Sequence, residues 1–321
     1  MIVLTHRFGR LGNRLLITAH LMAYALETHH TLMDWGLAEY APYFVGTAPD
    51  PHVFRFPVRR DVWNHLPVNQ PWVRNTIYTG VRAVRKLVNF YPALKSQVQV
   101  LPEPGKHWGN PLLIDDLLVK KMLLIRAWYV RAPRCFSKYQ DTIRECFTPL
   151  PIYQKRVEEL LKPLRDHHDV LVGLHVRAGD YRLYGGFHGL EMWQIVMEKM
   201  VNFFPEKRVG FLIFSDESFR EQVNIFADFS VHFGTGHVVE DLYALARCDY
   251  IIAPPSTYSN WAAFYGKVPI YQVGYVKLHT NDPVCHDLTA SRQYMEQTMR
   301  ELNLEKFRRI TYFVDHRIDP G

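Results

Sequence analysis

Five apolar runs of strand length, 169–176, 209–215, 229–233, 249–253 and 268–272, alternate in the second half of the chain with helical patterns over 190–203, 217–226, 238–247 and 258–265. Strands separated by helices of this length need right-handed crossovers, so they are expected to lie parallel in one doubly wound sheet. Ligands of such sheets sit beyond the carboxyl ends of the strands, which makes those ends the place to look for chemistry. Three of them are polar. The first run empties through His175 into Arg177-Ala178-Gly179-Asp180, the second into Ser215-Asp216-Glu217, and the fourth into Pro254-Pro255-Ser256-Thr257-Tyr258-Ser259.

A guanidinium held on a short tether, as Arg177 is, suits the forked oxygens of a phosphate. The Ser256–Ser259 loop offers hydroxyls and helix N-terminal amides, the materials of a diphosphate cradle. Each feature also has a plainer reading. Arg177 can close a loop on a carboxylate, and Ser215, Asp216 or Ser256 can serve only as helix N-caps. Three polar strand ends in one sheet favour a site over three separate coincidences.

The first half opens in a similar way. Ile2–Thr5 reads as a strand and runs into His6-Arg7-Phe8-Gly9-Arg10-Leu11-Gly12-Asn13, followed by Leu15, Leu16, Ala19, Met22, Ala23 and Leu26 at helical spacing. Strand, glycine turn and helix make the opening unit of a second doubly wound domain. Further strands are expected at Thr31–Asp34 and Met122–Val130, whereas 48–110, rich in Pro, Asn, Trp and basic residues, yields no assignment. Thr148-Pro149-Leu150-Pro151 marks a junction before a helix that carries Val157, Leu160 and Leu161 and is expected to end near Pro163. The domains are therefore expected over 1–150 and 151–321, with a last helix at 288–302 packing back across the junction.

Composition narrows the class. Over 321 residues, 48% hydrophobic and 22% charged describe a globular protein with room for two cores. A net charge of +6 favours anionic ligands, but the basic residues are dispersed, which argues against a nucleic-acid tract. Cys135, Cys146, Cys248 and Cys285 show neither C-x-x-C nor zinc spacing. His29-His30 and His167-His168 likewise lack ligand spacing and read as surface or turn residues. No apolar run approaches the roughly 18 to 20 residues of a membrane span. With Met1-Ile2-Val3-Leu4 already reading as strand, a cytoplasmic location is expected, with at most peripheral contact at an inner membrane. A basic amphipathic helix at 81–88 is the element for such contact, although a solvated face is its preferred reading.

The fragments Gly9-Arg10-Leu11-Gly12-Asn13-Arg14, His175-Val176-Arg177-Ala178-Gly179-Asp180-Tyr181, Phe214-Ser215-Asp216-Glu217, Asp241–Ala253 and Ser256-Thr257-Tyr258-Ser259-Asn260-Trp261-Ala262-Ala263, taken in order, resemble the motifs of the α-1,2-fucosyltransferases of glycosyltransferase family 11. The resemblance implies an α/β fold of GT-B type, two Rossmann-like domains facing a central cleft, with the donor held mainly by the second. It implies GDP-β-L-fucose as donor, inversion at the transferred carbon, no metal or other cofactor, and an oligosaccharide or glycolipid acceptor. Carried over residue by residue, Arg177 is the arginine on the donor diphosphate and Asn13 the asparagine facing the transferred sugar. His175, Asp216, Ser256, Thr257, Tyr258 and Ser259 bind the donor, with Gly12 and Arg14 contributing from the first turn. The chain departs from the family at Ala178, where a second arginine is usual, at Arg14 in place of glutamine, at the Pro254-Pro255 pair, and at Asn260 in place of tryptophan. Arg14 or Arg182 is available to replace the lost charge.

The chain contains no Asp-x-Asp with which to hold a divalent ion on a diphosphate. Asp34, Glu39 and Asp180 are available as general base, each with a plainer role as cap, surface group or loop partner. Two other readings stay open at this point: a transferase using another nucleotide sugar, and a non-catalytic GDP- or RNA-binding module.

Overall fold

The computed structural model describes residues 1–49, 54–57, 71–91, 95–101, 111–118, 121–127, 129–179, 189–273 and 288–311. Apart from the last few residues, the chain divides into two compact units, Met1–Leu150 and Pro151–Ile310.

Unit 1 contains β1 (Ile2–Leu4), α1 (Leu11–Glu27), β2 (Leu32–Asp34), β3 (Phe54–Phe56), α2 (Pro71–Phe90), β4 (Val98–Leu101), β5 (Leu112–Leu113), β6 (Met122–Ile125), β7 (Val130–Arg131), α3 (Pro133–Lys138) and α4 (Gln140–Cys146). Its main sheet has the order β3-β2-β1-β6-β4. All its pairs are parallel except β2 with the edge strand β3. The strand expected over 122–130 is two strands. After Ile125 the Arg126 amide makes one last ladder bond to Leu101 O (3.0 Å), and Val130–Arg131 then pairs with Leu112–Leu113 in a separate ribbon. Helix α2 falls in the stretch left largely unassigned; the amphipathic helix read at 81–88 lies in its second half. Its Val73, Ile77 and Val81, one helical face, pack on Val3, Trp35 and Leu124 of the sheet layer, while Trp72, Leu87 and Phe90 stay exposed.

Asp34 closes β2 with a buried carboxyl that accepts from the Thr18 hydroxyl (2.5 Å) and the Gly36 amide (2.8 Å). Burial outweighs these bonds and lifts its pKa from 3.8 to about 6. A carboxyl raised in the folded state stabilises fully below its unfolded pKa, and that stability is lost as the pH rises through the folded value. Asp34→Asn is therefore expected to flatten the decline in unfolding free energy between pH 4 and pH 7, a change of about 2 kcal/mol in urea titrations at the two ends of that window.

Unit 2 contains α5 (Pro151–His167), β8 (Val170–Val176), α6 (Glu191–Phe203), β9 (Val209–Ser215), β10 (Ser230–Phe233), α7 (Val238–Leu245), β11 (Tyr250–Ala253), α8 (Thr257–Gly266), β12 (Ile270–Gln272) and α9 (Leu288–Arg300). The sheet runs β10-β9-β8-β11-β12 with every pair parallel. The central strand β8 is buried along its whole length. It also lies tight under α7: a Cβ at Gly173 would run into Leu245 and come within 3.0 Å of Cys248 Sγ.

Three local expectations are corrected. The helix from Pro151 does not stop at Pro163 but continues to His167. Pro163 faces solvent, where water reaches the carbonyl it leaves unbonded, while Leu161 and Leu164 on either side remain buried. The segment expected as a helix over 217–226 is a 3₁₀ helix, Arg220–Phe226, whose longer rise per residue suits a short connection from β9 to β10. His168 is not a surface residue. It is buried, with Nδ1 on Leu164 O (2.8 Å) and Nε2 on Ser230 Oγ (2.7 Å).

Helix α9 is bound into unit 2. Met295 and Met299 join the core of Val172, Val176 and Trp193, and Tyr271 Oη donates to Thr298 O (2.7 Å). Cys135, Cys146 and Cys248 are buried free thiols, and Cys285 lies outside the described residues. Among the described residues no helix is long and apolar enough to cross a membrane.

Candidate active site

In unit 2 the chain moves from β8 through β9 to β10 on one side and through β11 to β12 on the other. The direction reverses between β8 and β11, and an open α/β sheet has its ligand crevice at such a reversal, beyond the strand ends. The register sets Val176 opposite Ser215 and Leu174 opposite Ile252, so the loops after β8, β9 and β11 emerge from one edge.

Asp216, just past β9, fastens the loop after β8. Its Oδ1 accepts from the amides of Ala178 (3.0 Å) and Gly179 (3.2 Å). A Cβ at Gly179 would stand 2.6 Å from the other carboxylate oxygen, so the approach requires glycine. Burial works to raise the Asp216 pKa. The two amides and the Arg177 guanidinium more than offset it and hold the carboxyl below its ordinary value. The capping role weighed for Asp216 is not realised, because the next helical turn begins after Phe219 and Ser215 Oγ takes the Glu217 amide (3.2 Å). Ala178, where the resemblance expects arginine, is fully buried, and a longer side chain would have to displace core.

His175 lies within β8, buried, with its ring 5.2 Å from that of Tyr258. Its Nδ1 is buried without a hydrogen-bond partner among the described residues. Burial, then the Arg177 charge, lowers the pKa to about 3 against a small opposing pull from Asp216. The imidazole is therefore neutral wherever the fold exists. An NMR titration of the ring nitrogens is expected to show no protonation between pH 5 and pH 9. The unfolded chain protonates this histidine below its ordinary 6.5, so stability falls as the pH drops from there toward 3.

Ser256 is the N-cap of α8, its Oγ accepting the Tyr258 amide (3.3 Å). Ser259 Oγ donates to Ser256 O (3.2 Å), and Tyr258 Oη donates to Val238 O (2.9 Å). Burial first, then Asp241 and Tyr243, push the Tyr258 phenol well above its ordinary pKa, so it stays a neutral donor. The hydroxyls of Ser256, Tyr258 and Ser259 thus have internal partners, and Thr257, buried, opens the helix. The loop presents the positive end of a ten-residue helix at the same edge as Arg177. Asn260 is buried and joins α8 to β12 through Gln272 Nε2 (2.9 Å).

The predicted residues of the first turn lie in unit 1. Gly12 and Asn13 sit in the first turn of α1. Gly9 adopts φ +56°, and a Cβ there would collide with the Asn13 side-chain amide, so only glycine lets that amide lie over the turn. Arg14 is buried and engaged internally. Its Nε donates to Gly9 O (3.1 Å), its Nη1 to Gly36 O (2.9 Å) and Glu39 Oε2 (2.7 Å), and the guanidinium lies 5.0 Å over the Tyr40 ring. Glu39 also pairs with Arg7. Of the carboxylates considered as base, Asp34 and Glu39 are thus held in structural networks, and Asp180, like Arg182, lies outside the described residues.

One strand end was missed. After β10, Asp241 of α7 gathers the loop, accepting from Thr235 N (2.7 Å), Thr235 Oγ1 (3.1 Å) and Gly236 N (3.1 Å). A Cβ at Gly234 would lie 2.6 Å from that carboxylate, and Gly236 adopts φ +83°. The readable signal was Gly234-Thr235-Gly236 between a strand and a helix.

Residues 127–273, which include β8, β9, β10, β11 and β12, match the model of Glycosyl transferase family 11. No curated protein matches the chain. Among solved structures, a mutant of FUT1 from Arabidopsis thaliana in complex with GDP superposes with a TM-score of 0.54 at 14% identity, covering 88% of this chain and 72% of that one. The fucosyltransferase NodZ from Bradyrhizobium gives 0.51 at 17% identity over 84% and 94% of the two chains. NodZ α-1,6-fucosyltransferase soaked with GDP-fucose gives 0.50 at 16% over 85% and 94%. At these identities the likeness is one of fold. The family match lies over the very segment that carries the polar strand ends, and the chain shares the α/β fold of these structures.

Proposed function

We propose that the chain transfers L-fucose from GDP-β-L-fucose to a hydroxyl of a glycan acceptor, with inversion and without a metal ion. The observation that carries this reading is that the Asp216-fastened loop, which follows β8 and bears Arg177, and the N-terminus of α8 emerge from one edge of the sheet at its reversal point. Breaking the bond from the sugar carbon to phosphate leaves charge on the departing diphosphate. A fixed guanidinium and helix amides stabilise such charge best when they need no reorganisation, and Asp216 supplies that fixity for Arg177. His175, uncharged and packed on Tyr258, shapes the pocket. The family resemblance assigns Asn13 to face the transferred sugar and Gly12 to donor binding. The GDP and GDP-fucose held by the FUT1 and NodZ structures support the choice of donor. As the acceptor oxygen bonds to the sugar carbon from the face opposite the diphosphate, the bond from that carbon to the phosphate oxygen breaks, GDP leaves with the charge, and the acceptor proton is released to solvent.

Incubation with GDP-fucose in EDTA tests the reading. GDP release, slow to water and faster with a glycan acceptor, is expected. Turnover that appears only on adding a divalent cation, or binding of UDP in preference to GDP, would overturn it.

A further inference from the structure

Unit 1 has a strand-end reversal of its own. β1 and β6 are parallel neighbours with Leu4 opposite Ile125, and the chain leaves β1 for β2 on one side while β4 lies on the other. His6 and Arg126 therefore emerge close together, beyond the place where such a sheet opens its crevice. His6 is steadied there by Thr5, whose hydroxyl donates to Ile125 O (2.7 Å) and lies 2.9 Å from His6 Nδ1. Helix α2, seated on this sheet, carries Arg82, exposed, and Arg85, half-buried, and has no acidic residue in its twenty. The Nε of Arg85 is buried with no hydrogen-bond partner among the described residues.

Among the described residues, the charges acting on Arg85 and His6 are of one sign. Among the described residues, the charges that act on Arg85 are Arg126 and Arg82, and those that act on His6 are Arg126, Arg85 and Arg82. Burial and these cations hold the His6 imidazole at about 4, so it is neutral. No carboxylate among the described residues acts on either group. Like charges gathered at a strand end with an unused N–H are unfavourable alone and are relieved by an oxyanion, which a guanidinium grips with two bonds.

We propose that Arg82, Arg85 and Arg126, with His6, form a second anion site of this chain, one that takes a phosphoryl group. Its binding needs nothing from unit 2 and does not depend on the donor assignment. Its role as the seat of a phosphate on the acceptor does rest on the transferase reading. The phosphoryl group can come from a soluble phosphate ester or from a lipid headgroup, and exposed Trp72, Leu87 and Phe90 on the same helix make the lipid source a definite arm of the test.

The full chain, saturated with GDP, is titrated calorimetrically with inorganic pyrophosphate, and separately with vesicles of phosphatidylglycerol or of phosphatidylcholine at equal ionic strength. Saturable pyrophosphate binding that weakens by about tenfold or more in Arg85→Gln, and measurably in exposed Arg82→Gln, supports the site. Equal indifference to both vesicles then points to a soluble ester. Binding to phosphatidylglycerol alone, lost in the same variants, points to a lipid source. Absence of both kinds of binding overturns the proposal, as does binding that neither substitution changes. Because Arg82 is exposed, its variant keeps the test decisive if Arg85→Gln fails to fold. Arg177→Ala should leave pyrophosphate binding intact, so loss of the donor assignment and loss of this site are read separately.

Discussion

Replacing Arg177 by alanine is expected to lower kcat for fucosyl transfer by about 100-fold to 1000-fold, the usual cost of removing one preorganised donor from a developing oxyanion. The substitution removes the guanidinium whose charge acts on Asp216 while leaving the loop's own bonds from Ala178 and Gly179 to Asp216 in place. Stability should therefore move by less than about 1 kcal/mol, and circular dichroism should not change. Arg177→Lys should recover part of the rate but not all, since an ammonium supplies charge without the planar fork. The same two variants measured for GDP affinity separate ground-state from transition-state effects. If kcat falls without a matching loss of GDP affinity, the arginine acts on charge that develops as the bond breaks. Near-normal turnover in Arg177→Ala would remove the centre of the proposed site.

The second large effect is on stability. Trp193 of α6 is among the largest fully buried side chains and sits in the core formed by the faces of β8, α6 and α9. Trp193→Ala is expected to destabilise unit 2 by about 3 to 5 kcal/mol, because the removed volume leaves a cavity that close-packed neighbours fill only in part. That is a large share of the ordinary stability of a domain, about 5 to 15 kcal/mol. Urea titration should show an earlier midpoint. GDP at about 100 times its Kd should recover roughly 2.7 kcal/mol of the loss, since it binds the folded unit only. Failure of GDP to shift the midpoint of the wild-type chain would speak against a nucleotide site at this sheet edge.

Legibility in the sequence followed the strength of the pattern. Strands 209–215 and 249–253 were readable to within a residue because long apolar runs bounded by polar turns have few alternatives. The 3₁₀ form of 220–226 was not, since its pattern differs little from that of one short α-helical stretch. Of helix α2 only the amphipathic stretch 81–88 was readable; Pro, Asn, Gly and Trp obscured the rest, and its burial of a single face became plain only against Trp35 and Leu124. At the site, Arg177 and His175 were found because a strand delivers them. What a single sequence does not carry is partnership. Arg14 reads as a free cation beside a glycine turn, yet it is clamped by Gly36 and Glu39, residues whose nearness depends on how β2 returns beside α1. Asp216 reads as either a helix cap or a donor ligand, yet it holds a loop from the neighbouring strand.

The all-parallel order β10-β9-β8-β11-β12 has a consequence for how the protein matures. β8 gains one neighbour early, from β9, but its other side waits for β11, whose partner residues lie far along the chain: Tyr250 for Val172, Ile252 for Leu174. Closing so long a loop is slow, so the middle of this sheet is expected to be completed late during refolding. Recovery of nucleotide binding should therefore lag behind recovery of helical circular dichroism, and the length of that lag measures the docking of β11.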